Sequence, residues 1–281
     1  MSRGQLKFVL GVLVTSMSMG CGANPHLPAG VKQVGTLANP AITESSGVTA
    51  SRQYPDVFWT HNDGGKSETL FAVTREGKTL GDFKVLGAKI DDWEDIAIDN
   101  GRHLYIADTG DNDAKRKHVA VYRIDEPDPA SSAGVVRTTH KWQLRWPNGP
   151  VDSEGLFVYG TNGYLVTKVK NDRRAEVYRF HLNDVESQML EPFARLTIDS
   201  PVTGADISAN GAAVAIVAGT GAFLYRIDGD IGKLGQMRPS YFTRFKHDSM
   251  EACTFVPEGL LTTAESKQIY LFTDEAFRVL R

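Results

Sequence analysis

Five side chains able to offer an oxygen recur along the chain: Ser46, Glu94, Glu154, Thr203 and Glu251, spaced by 48, 60, 49 and 48 residues. Each stands two residues before an alternating apolar pair, namely Val48/Ala50, Ile96/Ile98, Leu156/Val158, Ala205/Ile207 and Cys253/Phe255. If the strands that carry them surround one axis, equivalent positions face one another and the five oxygens converge. Three carboxylates brought that close repel and lose hydration, so they must protonate or be neutralised. A hard divalent cation does this, and Ca2+ fits better than Mg2+ because it accepts six to eight oxygens in irregular geometry. Zinc is disfavoured, since the set contains neither His nor thiolate. The plainer alternative is that the acids hold only ordered water or strand-end amides.

The elements that would position these residues repeat five times. An aromatic–any–apolar motif marks a strand in each repeat: Phe71-Ala72-Val73, Tyr122-Arg123-Ile124, Tyr178-Arg179-Phe180, Tyr225-Arg226-Ile227 and Tyr270-Leu271-Phe272. Ahead of each lies a β-rich run ending in polar turn residues (VFWTHND, LYIADTGDN, YLVTKVKND, AAVAIVAGTG, LLTTAESK), and ahead of that the run carrying the oxygen. Asn100-Gly101, Asn162-Gly163 and Asn210-Gly211 supply hairpin turns between the first two runs. A fourth run follows in repeats one to four, as in DFKVL, HKWQLRW, ARLTI and YFTRF; the one long spacing contains DEPDPASSAG at 125–134. This pattern predicts an all-β fold, a five-bladed β-propeller over residues 31–281. The fifth repeat lacks an outer strand, and residues 31–37 (VKQVGTL) are placed to supply it and so close the ring with an N-terminal strand.

Composition agrees with a folded, turn-rich domain. The 281 residues are 41% hydrophobic and 23% charged, with 27 Gly and 12 Pro, which suffices for a core and exceeds what a disordered chain carries. A formal charge of −3 leaves no cationic excess for a nucleic-acid polymer.

The start of the chain reads as an address. Residues 1–20 have the form of a signal peptide, with Arg3 and Lys7 before the apolar stretch from Phe8 to Val14. Ser18-Met19-Gly20-Cys21 resembles a bacterial lipobox, which implies lipidation at Cys21 and a short tether over 21–30, with Ser18 where that family prefers Leu. Gly22 rather than Asp after the Cys implies the outer membrane, so the expectation is an exported cell-envelope lipoprotein, a monomer held to the membrane through its lipid alone. Loss of Arg3 and Lys7 would bring the mature chain to −5. With Cys21 lipidated, the other cysteine, Cys253, has no partner and reads as a small core residue within ACTFV.

In a propeller the ends of the second strands share a mouth with the starts of the first. That places His61-Asn62-Asp63, Asp108 with Asp111-Asn112-Asp113, Lys168 with Lys170, and Glu265 with Lys267 around the five oxygens. Glu44, Asp91, Asp92, Asp95, Asp152, Asp206 and Asp248 enter at the same end, and Arg116, Lys117, Arg173 and Arg174 add cations. A catalytic reading takes Asp63 as the base, His61 as acid or base near neutral pH and Lys168 as the stabiliser of developing charge. The plainer reading of THND is a turn in which Asn and Asp cap their own backbone.

The Ser–Glu–Glu–Thr–Glu set is similar to the axial ring of the calcium-activated nucleotidases, the soluble apyrase family. Trp93-Glu94, Ser153-Glu154, Met250-Glu251-Ala252 and Ala264-Glu265-Ser266 carry the likeness. The resemblance implies five blades and one axial calcium. Thr203 stands where that family has Ser, and Asp206 offers a second alignment of the fourth repeat. EDIAIDNGRHLYIAD is more loosely similar to phytase-type phosphatases, and the acidic axis to lactonases. Two functions stand level: a calcium-dependent hydrolase of a small phosphorylated molecule, phosphoanhydride or phosphoester, and a non-catalytic propeller binding a protein, glycan or small ligand with calcium as a structural ion.

Overall fold

The computed structural model describes residues 27–64, 67–169, 174–246 and 248–279. The predicted signal peptide, Cys21, Lys170 and Arg173 lie outside them. The described chain is all-β and propeller-like, without an α-helix; Ile231–Gly235 and Asp274–Ala276 form short 3-10 turns.

After β1 (Val31–Thr36), repeat one contains β2 (Ser45–Ala50), β3 (Phe58–Asn62), β4 (Thr69–Val73) and β5 (Thr79–Leu86). Repeat two contains β6 (Trp93–Ile98), β7 (His103–Asp108), β8 (Val119–Asp125) and β9 (Val135–Arg145). Repeat three has β10 (Ser153–Tyr159), β11 (Asn162–Thr167), β12 (Glu176–His181), β13 (Ser187–Met189) and β14 (Glu191–Arg195). Repeat four has β15 (Val202–Ile207), β16 (Ala213–Ala218), β17 (Gly221–Arg226) and β18 (Tyr241–Arg244). Then follow β19 (Met250–Val256), β20 (Gly259–Ala264), β21 (Gln268–Thr273) and β22 (Arg278–Val279). Within each repeat the strands run as an antiparallel meander, with β13 standing outside it. β1 pairs antiparallel with β21, Val31 opposite Phe272. The fourth strand of repeat three begins earlier than ARLTI suggests, because Pro192 and Ala194 take the register opposite Tyr178 and Val177.

The apolar faces pack between neighbouring repeats. Trp59 and Phe83 meet Trp93 and Ile106; Tyr105 and Trp142 meet Leu165 and Phe180; Tyr164 and Val177 meet Ile216 and Tyr225. Val217 and Phe245 meet Tyr270 and Phe272, and Leu261 and Ile269 return to Phe58 and Phe71. The five motif aromatics, Phe71, Tyr122, Tyr178, Tyr225 and Tyr270, are all buried. Cys253 is buried in one of these clusters, and burial holds its thiol well above the usual range, so it behaves as a core residue.

Outer strands also join across repeats, which the linear pattern does not reveal. β9 runs parallel to β5 at one end and to β13 at the other, and β22 adds to β18. The predicted tether is docked where it is described: Leu27 packs on the core, and the Gly30 carbonyl accepts bonds from the N–H and hydroxyl of Thr273.

Candidate metal centre

The first strands β2, β6, β10, β15 and β19 touch one another in that order, with β19 returning to β2. Every one of them carries a register shift against its neighbour, between Ser45 and Gly47, Trp93 and Asp95, Ser153 and Gly155, Val202 and Gly204, and Met250 and Ala252. The unpaired residue at each shift is Ser46, Glu94, Glu154, Thr203 or Glu251. A bulge of this kind bends the strand and re-aims one side chain out of the alternation. The five spaced oxygens therefore share one local backbone device.

Four of the five line a cavity of about 200 Å³ together with Glu44, Ser45, Asp63, Asn112, Lys168 and Glu265. Ser46 donates to the Glu94 carbonyl at 2.9 Å, and its Oγ lies 3.4 Å from Glu94 Oε2. Lys168 forms an ion pair with Glu154 Oε1. Thr203 holds its bulge but does not line the cavity; its hydroxyl donates to the Met250 carbonyl at 2.7 Å on the next strand. Asp206, the other alignment for that repeat, is buried and accepts bonds from the Ile207 and Phe255 amides and the Thr254 hydroxyl.

His61 also departs from its catalytic reading. Its ring is fully buried, packed edge-on against Trp93 at 5.5 Å and lying over Gly47, where a Cβ would collide with Nε2. Nδ1 lies 3.0 Å from the Asn62 carbonyl, and burial lowers the pKa. It does not line the cavity. The neighbouring Asn62 ends β3 and accepts from the Thr43 and Glu44 amides of the preceding segment, so it holds two distant stretches of chain together and does not cap its own turn. Asp111 likewise spends its oxygens on the Lys115 and Arg116 amides. Arg116 is engaged by Asp108, Asp91 and the Gly110 carbonyl.

Two further acids belong to the centre. Oxygens of Asp63, Asp92 and Glu94 lie within 4.8 Å of one another, as do those of Glu94, Asp152 and Glu154. Asp92 and Asp152 each stand two residues before a bulged Glu, as Glu44 does before Ser46; this recurring offset is the signal in the sequence that distinguishes them from the other acids expected at the mouth. Glu94 is common to both triads.

The electrostatic load is severe. Burial, then Glu154, Asp63, Asp92 and Asp152, drive the Glu94 carboxyl far above the usual range. Burial raises Glu154 as well, against the pull of Lys168. Glu251 is pushed up to about 8 by burial and then Glu154 and Glu265, and Asp92 to about 6 by burial and then Asp63. Without a cation the native state thus binds protons that the unfolded chain releases above about 4.5, and its stability falls as pH rises. Chelated protein is expected to lose at least about 5 °C of melting temperature between pH 5 and pH 9, and saturating calcium to remove most of that slope. A flat profile in EGTA would contradict this arrangement of acids.

The donor set suits a hard cation: carboxylates and a hydroxyl, with no His or thiolate among the described lining residues. Space between the donors is kept open by Gly110, where an added Cβ would overlap Glu94 Oε1 and Asp92 Oδ2. Gly110→Ala removes no charge and no ligand. It is expected to weaken calcium binding about tenfold or more in calorimetric titration while shifting the metal-free melting temperature little, since only the two carboxylate ends need move.

No family model matches the chain, and no curated protein matches it. Among solved structures it is similar to hydrazine synthase of Kuenenia stuttgartiensis, with 11% identity, a TM-score of 0.44, and coverage of 82% of this chain and 72% of that one.

Proposed function

We propose that the chain is a five-bladed β-propeller, closed by β1 as the outer strand of the last blade, that holds one calcium ion on its axis and presents it to a ligand at the acidic mouth. The observation that carries this reading is the set of five equivalent bulges, four of whose side chains line one carboxylate-rich cavity, with Glu94 common to both close acid triads. The five inter-repeat cores support the blade count. Likeness of the strands around Glu94, Glu154 and Glu251 to the calcium-activated nucleotidases supports the ion. Glu94, Asp152 and Glu154 would hold it, with Glu251 and Ser46 beside them, and Asp63 and Asp92 on the flank. The ion would neutralise the acids and polarise an anionic or carbonyl oxygen brought to the mouth. Export and lipid anchoring at Cys21 belong to the same proposal.

Calcium-dependent hydrolysis of a phosphoanhydride or phosphoester is the second reading, favoured by Asp63 and Lys168 lining the same cavity as the bulged acids. Asp63 would take the proton of a water. Six lining acids and a single ammonium offer a polyphosphate little positive charge until a cation is bound, so binding is the primary reading. The test is calcium titration of the full chain carrying Cys21→Ser, followed by phosphate release from a nucleotide and phytate panel with and without EGTA. Tight calcium binding without phosphate release supports the binding reading; EGTA-sensitive release supports the hydrolase; absence of calcium binding removes both.

A further inference from the structure

We propose that Lys168 is the internal counter-cation of this centre: its ammonium holds the place on Glu154 that an incoming divalent ion takes over, and the exchange sets both calcium affinity and the preference for divalent over monovalent cations. The inference rests on the calcium reading above and adds a residue that governs it.

Lys168 carries the sole positive charge among the described residues lining the cavity, facing Glu44, Asp63, Glu94, Glu154, Glu251 and Glu265. Its ammonium pairs with Oε1 of Glu154, a member of the close triad with Glu94 and Asp152. The root of the side chain is fixed on both sides. Its backbone N–H donates to the Asp152 carbonyl at 3.0 Å, and the next residue, Val169, is buried in the core. Yet the side chain is 26% exposed, so the ammonium has a route to water by rotation about its own torsions.

Charge arithmetic then gives selectivity. A monovalent ion that displaces the ammonium exchanges one unit of positive charge for another and gains no neutralisation. It also competes with a group already held beside its partner, and such oriented intramolecular groups act at effective concentrations above those of dissolved ions. A divalent ion brings one charge more than it displaces into a cluster that is short of positive charge. Once bound, it repels the ammonium at close range, so the lysine swings outward. At the mouth it would then meet an anionic ligand on the bound ion.

The experiment compares the Cys21→Ser chain with versions also carrying Lys168→Met or Lys168→Arg. Calorimetric calcium titration in 0.1 M KCl is expected to show Lys168→Met binding at least about tenfold more tightly, with Lys168→Arg close to the parent. Melting of Lys168→Met in EGTA should rise when KCl replaces choline chloride, and that of the parent should not. Unchanged or weaker calcium binding in folded Lys168→Met, with the parent binding normally, overturns the inference and leaves the calcium reading intact. Failure of the parent to bind calcium overturns both. Should Lys168→Met fail to fold, nitrogen NMR of the parent decides: calcium should move the Lys168 ammonium signal from a protected to a solvent-exchanging state, and an unmoved signal refutes the exchange.

Discussion

Asp95→Ala is expected to destabilise the protein by about 4 kcal/mol or more, the sum of three orphaned buried amides at roughly 1–3 kcal/mol each. The Asp95 carboxylate is fully buried. One oxygen accepts from the Ile96 N–H at 2.8 Å; the other accepts from Leu156 N–H at 2.8 Å and Ala205 N–H at 3.1 Å. Those amides belong to β6, β10 and β15, first strands of successive repeats that do not pair with one another. A single side chain therefore supplies the acceptor that no ladder offers there. Burial holds its pKa well above the usual carboxylate range, and the three amides it accepts from only partly oppose that rise. Asp95→Asn keeps an acceptor oxygen and should lose clearly less. Urea unfolding measures both, and calcium should not restore Asp95→Ala, because the defect lies in the strands and outside the proposed metal centre. A loss below about 1 kcal/mol would mean the amides find other partners.

Glu94→Gln should produce opposite effects with and without metal. Glu94 is the acid shared by both triads, and its removal is expected to weaken calcium binding at least about 100-fold, beyond the range typical of residues one step removed from a metal. In the parent, calcium at a hundred times its dissociation constant should add about 2.7 kcal/mol, or roughly 5–10 °C for a chain of this size. The variant should show almost none of that gain. In EGTA at pH 8 to 9, however, Glu94→Gln should melt above the parent, since a neutral amide of the same shape replaces a carboxyl whose ionised form is penalised by burial and four neighbouring acids. Equal responses to calcium in the two proteins would show that the ion, if bound, is held elsewhere.

Much of the architecture is legible in residue order because strand information is local. Alternation with period two marks the first strands, the aromatic motif marks the third, and near-equal spacing shows that the repeats are equivalent. The same spacing singles out Ser46, Glu94, Glu154, Thr203 and Glu251, which all prove to be bulged residues. Asp92 and Asp152 are legible as acids of the same mouth, and their constant offset from Glu94 and Glu154 marks them among the other acids there.

Other features depend on neighbours distant in the chain. Nothing in THND says that Gly47 lacks the Cβ that would push the His61 ring away, or that Trp93 closes over it. Thr203 turns to the Met250 carbonyl because β19 happens to present one there, and Asp95 is a clamp only because Leu156 and Ala205 bring unpaired amides to it. The parallel pairing of β9 with β5 and β13 likewise has no local signature. Sequence alone thus determined the repeat, the strands and the acids that could bind a cation, since backbone preference and side-chain alternation act over a few residues. Only the tertiary structure decided which of those groups face the cavity and which are spent on buried amides and carbonyls, because desolvation makes every enclosed polar atom take whatever partner the packing of other repeats supplies.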